Sequence, residues 1–462
     1  MLQQTISPID GSVVAERTLA SESEIDRVLE AAVAAQRSWR SVSLVERARI
    51  LTAFCDAFER RRETIAAEIT QQIGRPIRYS PNEVSGTLER AWHMIAIAPD
   101  ALADIDVGPK PGFQRFVRRE PLGVVLTVAA WNYPCLIAVN SVVPALMAGN
   151  AVLLKHSAQT PLCAERFAEC FADAGLPTGL FGVLHLSHTA TERVIADPRI
   201  GFVAFTGSVA GGHAIQRAAV SRFVATGLEL GGCDPAYVRE DADVEHAIEN
   251  LVDGAYFNSG QSCCGIQRVY IHERVYERFV EGWLELTNRY VLGDPRDGAT
   301  TLGPVVRASA ATTIRAQIDA SVRSGASAAI DPHRFPADRA GSAYVAPQAL
   351  LDVDHTMPVM REEIFGPVAG LMMVRSDEEA IGWMNDSAYG LTAAVWTRDP
   401  QAAIAIGERI ETGTWFMNRC DYLDPALAWV GVKDSGRGCT LSKVGYEHLT
   451  RPKSFHLRLR GT

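Results

Sequence analysis

The chain has 462 residues, 47% of them hydrophobic and 21% charged, with a formal net charge of −9. That length exceeds what one core fills, so two or three domains are expected, and the acidic balance argues against nucleic acid or an anionic membrane as partner. The longest apolar run, 123–131, is strand-sized rather than membrane-spanning, and the first residues lack the basic and apolar regions of a secretory signal. Nine irregularly spaced cysteines, an odd count, fit a reducing cytoplasm better than a disulfide framework. With no C-x-x-C and no H-E-x-x-H, no metal site is expected.

Ser21-Glu22-Ser23-Glu24 is a capping box, and Ile25, Val28, Leu29, Ala32 and Val33 follow at helical spacing. Helical patterning continues to about residue 98, broken near Gly74-Arg75-Pro76. A Gly- and Pro-containing loop (108–112) leads to a half-exposed strand over 115–120. From Pro121 the pattern alternates: strand 124–130, helix 137–147, strand 151–154, helix 162–174, strand 182–186 and strand 202–205. This is a βαβ series, hence a parallel sheet covered by helices, with ligands expected at the carboxyl ends of its strands. A second α/β series begins near Gly231, with helices over 243–258 and 276–286. The last segment, 454–459, alternates like an edge strand and needs a partner; with the segment 115–120 it fits a sheet shared across subunits.

Several loops carry reactive groups. In Phe257-Asn258-Ser259-Gly260-Gln261-Ser262-Cys263-Cys264, a thiol stands behind a Gly-Gln turn among small residues, outside any apolar or helical pattern. A thiolate there is a candidate nucleophile. Glu229 lies between two leucines beside Gly231-Gly232. Burial would raise its pKa toward the range of a general base, although a surface Glu at a strand end reads the same way. Asn132, in Trp131-Asn132-Tyr133-Pro134, can donate to a developing oxyanion or simply form a turn. Lys155 ends a strand and can reach a ribose or phosphate, or only solvent. Gly207 and Ser208, in Phe205-Thr206-Gly207-Ser208, open a helix and offer an anion site to a pyrophosphate.

In order along the chain, these blocks, Lys155 with Gln159-Thr160-Pro161, Glu362-Glu363-Ile364-Phe365-Gly366-Pro367-Val368, and Asn418 ahead of Gly431-Val432-Lys433-Asp434-Ser435-Gly436 resemble the aldehyde dehydrogenase superfamily over nearly the whole chain. The resemblance implies an α/β fold of two Rossmann-like parallel-sheet domains plus a small β oligomerisation domain. Residues 1–112 and 121–231 would bind the cofactor, 232–445 would form the catalytic domain, and 113–120 with 446–462 the oligomerisation segments. It implies NAD(P)-dependent oxidation of an aldehyde in the cytoplasm by a homodimer or homotetramer. Cys263 would form a thiohemiacetal and then a thioester, with Asn132 holding the oxyanion and Glu229 activating the hydrolytic water. Trp131, Lys155, Gly207, Ser208, Glu363 and Phe365 would contact the cofactor. Tyr133, Leu136, Ile137, Asn140, Ser262, Cys264, Asp421, Tyr422, Leu423 and Trp429 would line the substrate pocket, and Asn418 and Lys433 would support the active-site loop.

Departures from the family pattern sharpen these expectations. Ala158 stands where members commonly carry a Glu that disfavours a 2′-phosphate, so NADP should be tolerated beside NAD. Cys233 replaces the usual Lys after Leu-Gly-Gly. Succinate-semialdehyde dehydrogenases often place an Arg where Asn140 stands; Arg419 or Arg437 could substitute, but a medium aliphatic or aromatic aldehyde is favoured. A CoA-acylating enzyme and a non-catalytic binding protein on the same fold are the competing readings. The presence of Glu229 argues against the first, and the full set of reactive residues against the second.

Overall fold

The computed structural model describes residues 1–459. An antiparallel pair of strands, Leu2–Ile6 and Val13–Thr18, comes first, followed by four helices: Glu22–Trp39, Leu44–Glu59, Arg62–Ile73 and Pro81–Ala101. Ser21 caps the first through a bond from the Glu24 amide, as the capping box requires. Gly74 ends the third in the left-handed conformation (φ 80°), where a side chain would be strained.

Next comes a sheet whose order is Gly436–Arg437, Ala225–Glu229, Ile200–Thr206, Val124–Ala129, Ala151–His156, Phe181–Val183. All its pairings are parallel except that of Gly436–Arg437. Val124–Ala129 is buried at every position, which explains its unbroken apolar sequence. A second parallel sheet carries Gln348–Leu351, Val368–Val374, Ile266–His272, Asp234–Val238, Thr392–Trp396 and Thr414–Met417, with Ser327–Ala328 antiparallel at one edge. Separate apolar clusters cover its two faces.

The two series meet in a way the sequence did not indicate. Gly436–Arg437 pairs with Glu229 and Leu228, and Tyr446 of helix Ser442–His448 donates to Met94 O at 2.7 Å. The chain thus returns to the first unit before residue 445. The terminal strand is longer than its alternation suggested: Thr450–Arg458 pairs antiparallel with Phe113–Pro121 of the same chain, and Ile105–Asp106 adds a third strand. Its partner therefore comes from its own chain, and its other side forms an open edge.

Helix Val244–Tyr256 also stops earlier than expected. Asn258 (φ 52°), Ser259 (φ 57°) and Gly260 (φ 68°) all take left-handed conformations. At Gly260 a Cβ would lie 2.0 Å from the Gly366 carbonyl oxygen, so only glycine fits. Gln261 locks the turn by donating to Asn258 O (3.0 Å) and accepting from the Val306 amide (2.7 Å).

Candidate active site

The carboxyl ends of the first sheet converge on the turn that carries Cys263. Thr206 and Glu229 are register neighbours, as are Val128 and Lys155. A cavity of about 730 Å³ opens here, lined by Cys263, Cys264, Ser262, Glu229 and Thr206. Tyr133, Leu136, Ile137, Asn140, Asp421, Tyr422, Leu423 and Trp429 line it too. Asn132 does not; it is buried beside the cavity, with one amide hydrogen directed to Gln261 O at 3.2 Å.

Cys263 and Cys264 differ by environment. Cys263 is half-buried, and its backbone N–H has no backbone acceptor among the described residues. Cys264 is buried and donates to Asp421 Oδ1 at 2.9 Å; the neighbouring Cys263 thiol, burial and Asp421 push its pKa well up, keeping it a neutral thiol. Ser262 donates to the same carboxylate oxygen at 2.9 Å.

Both oxygens of Glu229 are held: Oε1 accepts from Thr440 at 2.5 Å and Oε2 from Thr206 at 3.1 Å. Burial raises its pKa, and the two hydroxyls oppose the rise. Glu229 also borders a second, small void of about 30 Å³, room for a single water.

Two charged residues that the sequence reading passed over hold this frame. Arg75 and Glu83 form an ion pair with side chains 2% and 0% exposed. Arg75 donates to Asn132 O (2.5 Å) and Asn258 Oδ1 (3.1 Å), and lies over the Tyr133 ring at 4.6 Å. Glu83 Oε1 accepts from the amides of Cys135 (2.9 Å) and Leu136 (3.0 Å). Helix Pro134–Met147 has no side-chain cap from its own Tyr133, so Glu83 serves as a cap supplied from another helix. The signal was present: 83, 87, 90 and 94 share one helical face, and Thr87 and Met94 on it are buried. Two charges on that stripe required partners.

A third overlooked charge is Arg90, also buried and lining the main cavity. The cations considered as substitutes do not line it. Arg437 donates to Thr226 Oγ1 at 2.7 Å, and Arg419 stacks on Tyr422 at 3.5 Å from the ring centroid.

The residues expected to touch a dinucleotide lie along the adjoining strand ends. A Cβ on Gly231 would lie 2.1 Å from Glu363 Oε2, so that glycine makes room for the carboxyl. Burial pushes the pKa of Glu363 to about 7, opposed by a 3.2 Å bond from the Gly232 amide. Phe365 (φ 54°) sets its ring edge-on to Trp131, centroids 5.5 Å apart. Lys155 is half-buried without a hydrogen-bond partner among the described residues, and burial lowers its pKa. The Ser208 hydroxyl is not free for a pyrophosphate: it caps helix Val209–Ala219 by accepting from Gly211 N at 3.2 Å. The Gly207 amide is likewise engaged by Glu229 O at 3.0 Å. What remains is the first-turn amides of that helix with its positive dipole end, which suit a pyrophosphate. Gly207 and Gly211 are needed because a Cβ on either would meet the Phe205 ring at 2.6 or 2.7 Å. Ala158 is exposed, and its carbonyl accepts from Thr5 at 2.8 Å, leaving no carboxylate at that position. These features fit a nicotinamide dinucleotide.

Cys233 finds an account here. It is buried, accepts from Gln267 Nε2 at 3.2 Å, and burial raises its pKa to about 12. Gln267 also accepts from Ile364 N at 2.8 Å, so this inert thiol packs under the loop bearing Glu363 and Phe365. The Asn418 amide bonds both backbone groups of Thr397, and Lys433 Nζ donates to Asn385 O and Ser387 O.

The model of the aldehyde dehydrogenase family matches residues 2–455, and the chain belongs to that family. It is 34% identical to the 3,6-anhydro-alpha-L-galactose dehydrogenase of Streptomyces coelicolor, over 98% of this chain and 92% of that protein. It is 34% identical to the succinate semialdehyde dehydrogenase Sad of Escherichia coli (96% and 95% covered), and 33% identical to the betaine aldehyde dehydrogenase of Agrobacterium fabrum (98% and 92%). Among solved structures, the succinic semialdehyde dehydrogenase of Streptococcus pyogenes in complex with NADP+ superposes with a TM-score of 0.94 at 30% identity, covering 99% of this chain and all of that one. PnpE in complex with nicotinamide adenine dinucleotide gives 0.95 at 29% identity, covering 100% and 95%.

Proposed function

We propose that this protein oxidises an aldehyde to its carboxylate by covalent catalysis at Cys263. The observation that carries the reading is that one cavity is lined by a half-buried thiol and by a carboxyl group pinned by two hydroxyls. The Cys263 thiolate attacks the carbonyl carbon. The resulting oxyanion is held by the Cys263 backbone N–H and by the Asn132 hydrogen not spent on Gln261. A nicotinamide dinucleotide held by Lys155, Glu363, Phe365 and the start of helix Val209–Ala219 supplies the hydride acceptor, NAD or, with Ala158 offering no repulsion, NADP. The acyl group then rests on Cys263 as a thioester. Glu229 takes a proton from water, the hydroxide attacks the acyl carbon, and the carbon–sulfur bond breaks to return the thiolate. Glu229 favours water over CoA as acyl acceptor, so added CoA should leave turnover unchanged.

Relatives of nearly equal identity are named for a neutral, an anionic and a cationic aldehyde, so likeness does not choose the substrate. All nine cysteines are free, which accords with a reducing, cytoplasmic setting, and no helix among the described residues is long and apolar enough to cross a membrane. The open edge of Thr450–Arg458 supports a homodimer or homotetramer.

The test is Cys263→Ser, assayed by absorbance of the reduced cofactor with aldehydes and with each dinucleotide. Turnover should vanish while dinucleotide binding, read by fluorescence titration, persists. Retained turnover would discard Cys263 as nucleophile.

A further inference from the structure

Arg90 projects from helix Pro81–Ala101 into the cavity wall and is 8% exposed. Its Nη1 donates to Leu136 O and to Asn140 Oδ1, each at 3.1 Å. Its Nε and Nη2 have no acceptor among the described residues, and neither is an enclosed orphan atom. A guanidinium anchored on one side and unpaired on the other presents a donor edge to the space where substrate enters. Asn140 holds that edge in place rather than supplying the charge itself.

Opposing charges share the cavity. Asp421 lies deep, and Glu89, Glu249 and Asp253 stand exposed at the mouth. Burial raises the pKa of Asp421, while the three at the mouth face solvent and are screened within about 10 Å at ordinary salt. Asp421 is already committed to Ser262 and Cys264. A short-range, charge-assisted fork at a buried arginine outweighs screened carboxylates at the rim.

We propose that the Arg90–Asn140 pair is the specificity subsite for an aldehyde carrying a carboxylate at its far end, a semialdehyde of a short dicarboxylic acid. The proposal rests on the catalytic reading above, because it concerns the same cavity. The acidic mouth adds a signature: raising ionic strength should lower KM for such a substrate until screening weakens the Arg90 contact itself.

The experiment compares kcat/KM for succinic semialdehyde, butanal and 4-aminobutanal in the wild type, Arg90→Met and Arg90→Lys. The wild type should prefer the carboxylate-bearing aldehyde to butanal by about 10-fold or more, the scale of a hydrogen bond to a charged group. Arg90→Met should collapse that ratio toward one, and Arg90→Lys should leave it intermediate, since an ammonium lacks the fork. Succinate should compete with aldehyde in the wild type and lose potency in Arg90→Met. A wild type that favours butanal or 4-aminobutanal, or a ratio unmoved in Arg90→Met, overturns the subsite. If Arg90→Met does not fold, the wild-type preference and succinate competition decide alone. Absence of turnover with every aldehyde would defeat the catalytic reading instead; succinate binding by calorimetry would then still decide the subsite, and no binding would reject it.

Discussion

Glu229 shows how one side chain's surroundings set its chemistry. Burial raises its pKa and two threonine hydroxyls restrain the rise, which suits the carboxylate to its proposed role of taking a proton from water. Only its deprotonated form acts, so deacylation should accelerate as pH rises through this elevated pKa. Glu229→Gln should give a burst of reduced cofactor followed by slow turnover, with that limb gone from the pH profile. A linear, wild-type time course would reject the role. Residues of this kind were legible because the chemistry sits in short local blocks: a thiol behind Gly-Gln, a carboxyl before Gly-Gly, an amide before Tyr-Pro. The Ser208 hydroxyl shows the limit of such reading, since Ser at a helix start caps the helix before it serves a ligand.

At the scale of the element, the buried Arg75–Glu83 pair links the loop at Asn132, the start of helix Pro134–Met147 and the left-handed turn at Asn258. Asn132 and the turn that leads to Cys263 thereby share one support. Glu83→Gln keeps the shape but removes the charge that pairs with Arg75 and caps two amides. Loss of one partner of a buried pair costs about 3–5 kcal/mol, so the urea midpoint should fall, and kcat should fall more than KM rises because Asn132 loses its position. A variant with wild-type kcat and unchanged midpoint would show that the pair does neither. Sequence alone could not reveal this clamp: Arg75 reaches partners 57 and 183 residues away, and no local pattern encodes that proximity. Helix and strand periodicities, by contrast, did announce the βαβ series, with ends shifted by a few residues where Pro134 starts a helix and Asn258 stops one.

For the whole molecule, strand ends of the first parallel sheet, Thr206 and Glu229, reach the cavity, and the three-stranded antiparallel sheet contributes no lining residue to it. Along that small sheet, Ile105, Val107, Leu457 and Leu459 are exposed, and Phe116 stacks on Phe455 at 4.5 Å. An open edge with apolar side chains is a pairing surface. Sedimentation velocity should find the wild type as a dimer or tetramer, and Leu457→Asp with Leu459→Asp should shift it to smaller species. A wild type that sediments as a monomer at all concentrations would remove this surface from consideration. The alternation at the chain end and the segment it goes with were visible in the sequence, yet that Thr450–Arg458 pairs with Phe113–Pro121 inside one chain rather than across subunits required the fold.

Helix Pro81–Ala101 carries two separable duties. Glu83 looks toward the clamp, while Ser85, Gly86, Glu89 and Arg90 border the cavity. Mutations drifting across the second set can retune which aldehydes are accepted without disturbing the apparatus that oxidises them. Descendants of such a gene could therefore diversify their diets while inheriting the reaction intact, and a directed-evolution library would do best to randomise 85, 86, 89 and 90 and leave 75 and 83 alone.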